Sequence, residues 1–300
     1  MSNLDRKSKF ALLSISSNTI LITMKIAAGI LSGSVSIISE AIHSGMDLIA
    51  SIIAFISVMN SGKPADKEQP FGHGKMENIS GAIEGLLIFV AAGMIITEAV
   101  KKIFEPAEIE RAYVAIVVMA ASAIINAFVS RRLYKVAIEE DSMALEADAL
   151  HLKTDVYTSL GVGVGLLLIK LTGLVILDSI VAILVALMII KEAWELCKNA
   201  LDNLIDVRLA EEEEQEIERI IEKVKNEHSG QFADFHKLKT TKSGDKRNID
   251  FHITLDPNMT VKEAHDIVGC LKKEMNERFN KTRVSVHIDP VKSENGEFEC

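Results

Sequence analysis

The chain has 300 residues, 48% of them hydrophobic and 25% charged, with a formal net charge of −9 and a mean hydropathy of +0.23. The acidic balance argues against a nucleic-acid partner, and the scattered Cys197, Cys270 and Cys300 contain no C-x-x-C pair, which excludes a disulfide framework or a cysteine zinc site. Apolar residues concentrate before about residue 196 and charges after it, the distribution of a membrane half followed by a water-soluble half.

A membrane-crossing helix needs about 20 mainly apolar residues. Six segments qualify, at about 10–31, 34–60, 79–100, 112–130, 144–169 and 174–190. The first is too long for a cleavable signal peptide and lacks a small-residue cleavage pattern. Ser32-Gly33-Ser34 and Thr172-Gly173 read as tight turns, Ser61-Gly62-Lys63-Pro64 ends the second segment, and Pro106 marks the loop after the third. Basic residues cluster on one side: Arg6, Lys7 and Lys9, then Lys63, Lys67 and Lys75, then Arg131, Arg132 and Lys135. On the other side Lys101, Lys102 and Arg111 are diluted by Glu105, Glu108 and Glu110, and Lys170 stands alone. The asymmetry places both termini in the cytoplasm, and the compact architecture without a targeting segment leads to the expectation of a multi-pass inner-membrane protein.

The second and fifth segments carry charges that lipid does not tolerate cheaply. Glu40, His43 and Asp47 lie in the second; Glu146, Asp148, His151, Lys153 and Asp155 lie in the fifth. A central ionised group costs about 2.5–3.5 kcal/mol even on the lower insertion scales, so these side chains face a protein interior or a wet cavity. His43-x-x-x-Asp47 and His151-x-x-x-Asp155 each put an imidazole and a carboxylate one turn apart on one helix face. Two nitrogens and two carboxylates make a tetrahedral set suited to Zn²⁺. The blander reading pairs Asp47 and Asp155 with basic residues such as Lys25 or Lys153. Small residues around the first motif (Ser39, Ala41, Ser44, Gly45) and Gly161, Gly163 and Gly165 in the fifth segment would let the helices approach closely.

From about Arg208 the pattern is that of a soluble α+β domain. A helix opens on the acidic run Glu211 to Glu214 and reaches about Glu227, its acidic start favoured by the macrodipole. Strands follow at about 235–241 and 247–255 across a Ser243-Gly244-Asp245-Lys246 turn, then a helix at about 260–279 and a strand at about 283–289. Alternation gives Ile249, Phe251, Ile253 and Leu255 one face and His252 the other; Val284, Val286 and Ile288 leave His287 and Asp289 turned from the core. The expected organisation is a six-span transmembrane all-α domain at 1–207, an αββαβ domain at 208–292 and a mobile tail at 293–300.

With these motifs in hand, the chain over about 10–290 resembles the cation diffusion facilitators. The stretches Ser39 to Asp47 and Ala147 to Asp155 look like that family's two site segments, and Phe71-Gly72-His73-Gly74-Lys75 with Glu77 looks like its loop signature. The resemblance implies a homodimer in the lipid bilayer that exports Zn²⁺ in exchange for protons through His43, Asp47, His151 and Asp155. It implies a ferredoxin-like, metallochaperone-like cytoplasmic domain in which His236, His252, His265, His287 and Asp289 hold regulatory Zn²⁺. It also implies an accessory loop site at Asp66 and His73, weakened here because Gln69 occupies its middle position. Lys75 and Asp206 match a charge contact between the two halves of relatives. No organic cofactor and no catalysis are expected: an intramembrane hydrolase would need an open metal position and a general base, as in H-E-x-x-H, which the chain lacks. The alternatives are a Mn²⁺ or Fe²⁺ exporter of the same family and, in another class, a membrane-bound metal sensor.

Overall fold

Long stretches of Ala, Ile, Leu and Val with Pro and Gly confined to the joints favour helices wherever no strand partner is at hand. The computed structural model describes residues 5–32, 35–104, 113–174, 176–279 and 281–291. The side chains of several residues within the helices, His43 among them, lie outside that description, as do the turn at Gly33, the loop at Pro106 and the C-terminal tail. The chain divides into two compact units, Met1–Asp202 and Asn203–Cys300.

Six helices make up the first unit: α1 Arg6–Ser32, α2 Val35–Ser61, α3 Lys75–Phe104, α4 Tyr113–Glu139, α5 Met143–Thr172 and α6 Ile176–Leu204. At 1.5 Å per residue they run about 40–45 Å, longer than the hydrocarbon core of about 30 Å. The helices therefore outrun the apolar segments. Arg131, Lys135, Lys191 and Glu192 end an apolar count, yet they are good helix formers and the ladder continues through them. α4 stops in a Schellman arrangement: Ser142 N–H bonds the Ala137 carbonyl at 2.8 Å, with Asp141 left-handed at φ 53°. Gly173, at φ 75°, occupies the equivalent left-handed position after α5.

The bundle is built opposite to a water-soluble protein. Ala11, Ser14, Asn18, Asp47, Ala50, Ser51, Glu84 and Asp148 are buried, whereas Ile20, Leu86, Met94, Ile124 and Leu184 are exposed on the outside. That is the arrangement expected when the surrounding solvent is hydrocarbon and small residues set the helix contacts. Arg6–Ala28 and Lys75–Phe104 are long and apolar enough to cross a membrane by length and composition. Gly81 and Gly85 of α3 seat their neighbours: a Cβ on Gly81 would meet Met143 Cγ at 2.7 Å, and one on Gly85 would collide with Cys197 Sγ. Gly161 of α5 makes room for Val185 of α6, so this glycine serves the α5–α6 packing.

The second unit holds α7 Glu211–Glu227, β1 Phe232–Ser243, β2 Lys246–Leu255, α8 Val261–Arg278 and β3 Thr282–Pro290, in the order αββαβ. β1 and β2 form an antiparallel hairpin whose Gly244 has φ 61°, and β3 joins β2 in parallel through the α8 crossover. The sheet order is β1-β2-β3. Ile217, Ile221 and Val224 of α7 and Ile267, Leu271 and Met275 of α8 pack with Phe251, Ile253 and Leu255 into one core. A capping box fixes the start of α8: Thr260 accepts from the Glu263 N–H while the Glu263 carboxylate takes the Thr260 N–H.

Candidate metal sites

The helical period sets the first site. Asp47 lies on α2, four residues after His43, and His151 lies on α5, four residues before Asp155. α2 packs against α5, and the contact brings His151 Nε2 to 3.0 Å from Asp47 Oδ1 with both side chains buried. The backbone of His43 is in α2, but its side chain lies outside the described residues. Asp155 acts on His151 through space, as does Asp47. His151 Nδ1 is buried with no hydrogen-bond partner among the described residues. Such an atom is open to a ligand.

The supporting contacts show which residues hold this face together. Asn126 of α4 donates from Nδ2 to Asp155 Oδ2 at 3.1 Å. The second motif therefore has a helper on a helix that carries no motif itself. Asn18 of α1 donates to the Asp47 carbonyl at 3.4 Å and to Ser51 Oγ at 2.6 Å. Lys25 donates to Ser44 Oγ at 2.7 Å, and Lys153 reaches Glu192 at 3.1 Å and stands over the Tyr157 ring. In the sequence, Asn126 is one polar residue within an otherwise apolar segment.

A second group of donors lies on the sheet of the second unit. The strand registers align His236, His252 and His287 in one row across β1, β2 and β3. Asp289, two residues beyond His287, leans into that row. Its Oδ2 is 2.9 Å from His252 Nδ1 and 3.2 Å from His236 Nε2, and its Oδ1 is 3.3 Å from His287 Nε2. One ligand atom each from His236, His252 and Asp289 lie within 4.8 Å of one another, which fits the reach of a single metal ion. The hydrogen bond from His252 holds the Asp289 carboxyl below its usual range, and the His252, His287 and His236 charges act in the same direction. The carboxylate is therefore ionised, as a ligand must be.

A bulge makes this row possible. The β1–β2 register slips between His236 and Lys239, with Lys237 left-handed at φ 54°. Phe235 and Leu238 both pack on the core although they are three residues apart. Without the extra residue, strict alternation would put either Leu238 or His236 on the wrong face. His265 is exposed on α8, which packs on the core side of the sheet, and is not one of the three donors grouped within 4.8 Å.

The first 205 residues match the cation efflux transmembrane domain, over 11–205, and the remainder matches the cation efflux cytoplasmic domain, over 209–291. The chain belongs to the cation efflux family. Family membership makes it a membrane transporter of divalent metal cations, with a helical membrane domain followed by an α+β domain. It is 32% identical to an uncharacterised transporter, sll1263, of Synechocystis sp., over 94% of this chain and 90% of the relative. It is 29% identical to the cation-efflux pump FieF of Shewanella oneidensis, over 91% and 90% of the two chains. It is 28% identical to the manganese efflux system protein MneP of Bacillus subtilis, over 94% and 95%. Among solved structures, the metal-bound C-terminal domain of the CzcD transporter from Thermotoga maritima is 25% identical, with 29% of this chain and all of that one covered and a TM-score of 0.25.

In this cation efflux chain the loop between α2 and α3 turns around Asp66, whose Oδ1 accepts the backbone N–H groups of Glu68 and Gln69 at 3.0 and 2.7 Å. His73 Nε2 lies 3.4 Å from Asp66 Oδ2, so the two loop residues do meet, while His73 Nδ1 is buried without a described partner. The loop signature also delivers Glu77 to a buried hub. Lys7 Nζ bonds Glu77 Oε1 at 3.0 Å, Ser61 donates to the same oxygen at 2.7 Å, and Ser142 donates to Oε2.

Proposed function

We propose that the chain exports Zn²⁺ from the cytoplasm in exchange for H⁺, by alternating access at His43, Asp47, His151 and Asp155. The carrying observation is the 3.0 Å approach of His151 to Asp47, which joins the two sequence motifs across α2 and α5. Two imidazoles among the donors favour Zn²⁺ over the harder cations. Metal and protons compete for the same lone pairs, since ligand histidines must be neutral and carboxylates ionised. A proton arriving at His151 or Asp155 from the outer side would eject the ion, and an inward proton gradient would drive export without ATP.

The working unit is a homodimer in the inner membrane with both termini cytoplasmic. The His236, His252, His287 and Asp289 row binds Zn²⁺ and regulates transport by drawing the two cytoplasmic domains together. His265, on the far side of its own sheet, would contribute from the partner subunit. Asp66 and His73 form a weak accessory loop site. Mn²⁺ is the second reading of the cargo, favoured by likeness to MneP.

The deciding experiment is metal flux in proteoliposomes under an imposed pH gradient, for wild type and Asp155→Ala, with Zn²⁺, Mn²⁺ and Fe²⁺. Gradient-dependent Zn²⁺ flux that the substitution abolishes is the expected result. Flux of Mn²⁺ or Fe²⁺ alone would replace the cargo, and gradient-independent flux would remove proton exchange. A folded protein that moves no ion would favour the membrane-bound sensor.

A further inference from the structure

A second pair of carboxylates lies buried in the bundle outside the two H-x-x-x-D motifs. Glu84 of α3 and Asp148 of α5 are each 0% exposed. α3 packs along α5, and the two groups act on each other through space. Each has one partnered oxygen and one without a partner. Ser80 donates to Glu84 Oε1 at 3.0 Å and Ser51 to Asp148 Oδ1 at 3.0 Å, while Glu84 Oε2 and Asp148 Oδ2 have no hydrogen-bond partner among the described residues. Neutral oxygens surround them: Ser14 Oγ is 2.9 Å from Ser51 Oγ and also reaches Asp148, and Asn18 bonds Ser51.

Burying two carboxylates with bare oxygens costs several kcal/mol per ion unless a cation joins them. Lys7, a buried cation, is engaged with Glu77 at a separate hub. The pair also has a definite place. Asp148 precedes His151 by one turn on α5 and Ser51 follows Asp47 by one turn on α2, so the polar track leaves the His151–Asp47 contact and runs toward the end of the bundle that carries the α2–α3 loop. The ligand atoms that Glu84, Asp148 and the serines bonded to them offer are all oxygens. Such a set suits harder divalent ions such as Mn²⁺ better than it suits Zn²⁺.

We infer that Glu84 and Asp148 form a second, oxygen-only divalent-cation site, one helical turn from the His151–Asp47 contact, through which the ion passes between the loop end of the bundle and the transport quartet. The inference rests on the transporter reading for its role in passage. As a binding site it stands on the two buried carboxylates alone. The site gives the ion two carboxylates at each stage, so it never crosses the apolar interior uncompensated.

The test is Mn²⁺ binding by the full-length protein in detergent, read by electron paramagnetic resonance. Asp289→Ala throughout silences the cytoplasmic row, and Asp155→Ala disables the quartet. The expected result is that this background keeps one Mn²⁺ equivalent per chain, and that adding Glu84→Gln or Asp148→Asn removes it or weakens it at least tenfold. Restoring Asp155 in the Glu84→Gln chain should bring back one equivalent, at the quartet. The conservative amide variants keep side-chain shape, and a monodisperse elution profile confirms that each is folded. If the Asp155→Ala background binds no Mn²⁺ inside the bundle, or if Glu84→Gln leaves its Mn²⁺ affinity unchanged, the site does not exist and the pair holds protons only. Failure of Zn²⁺/H⁺ exchange would appear in flux measurements and would leave this stoichiometry untouched.

Discussion

Asp155 and Asp47, as proposed ligands, owe their placement to residues outside the two motifs. Asn126 donates to Asp155 and orients the carboxylate, while Asn18 and Ser51 tie the Asp47 turn of α2 to α1. Partners that orient a ligand typically contribute about 10–100-fold in metal affinity. Asn126→Ala should therefore raise the half-saturating metal concentration for transport by about tenfold or more without altering helix content. A zinc titration of flux, with circular dichroism as the fold check, reads both; an unchanged half-saturation would reduce the 3.1 Å contact to packing. The sequence could not single out Asn126, because one asparagine in an apolar helix is compatible with many contacts and only the α4–α5 packing chooses one.

Among elements, α8 offers the cleanest local test. Its start depends on the reciprocal Thr260–Glu263 box, and those hydrogen bonds hold the Glu263 carboxyl below its usual range. The sign follows from that direction. A depressed carboxyl pKa contributes stability that is fully present above the unfolded value of about 4.3 and is lost as pH falls through the folded value. Thr260→Ala should destabilise the cytoplasmic unit by about 1 kcal/mol at neutral pH, the ordinary worth of an N-cap hydroxyl. The loss should shrink in acid. Thermal unfolding of the cytoplasmic unit at pH 7 and pH 3 checks both statements, and a loss that is equal at the two pH values would remove Glu263 from the cap.

For the whole membrane unit, Glu77 joins pieces far apart in the chain. Lys7 lies at the start of α1, Ser61 ends α2, Glu77 opens α3 and Ser142 precedes α5, and all meet at one carboxylate that is 1% exposed. Removing one partner of a buried ion pair strands the other, at about 3–5 kcal/mol. Glu77→Ala should unfold the bundle at markedly lower temperature in detergent, and Lys7→Met in the same chain should recover much of the loss. Equal melting temperatures for wild type and Glu77→Ala would mean that the hub contributes no stability. The family's loop signature thus ends in a structural clasp as well as a loop.

The sequence by itself determined the six apolar helices, the αββαβ order, the two H-x-x-x-D pairs and the outward faces of His252, His287 and Asp289, because each follows from a period of 3.6 or 2 along a single segment. Helix ends beyond the apolar segments escaped it, since charges stop a hydropathy count but not a hydrogen-bond ladder. Tertiary structure alone decided that His151 meets Asp47, that Asn126 serves Asp155, and that Glu84 and Asp148 share one buried stretch. It also decided that His236, His252 and His287 share a rung, through a bulge at Lys237 that no alternation rule reveals. Periodicity fixes which face of a helix or strand a residue occupies, but helix packing and strand register fix what that face meets.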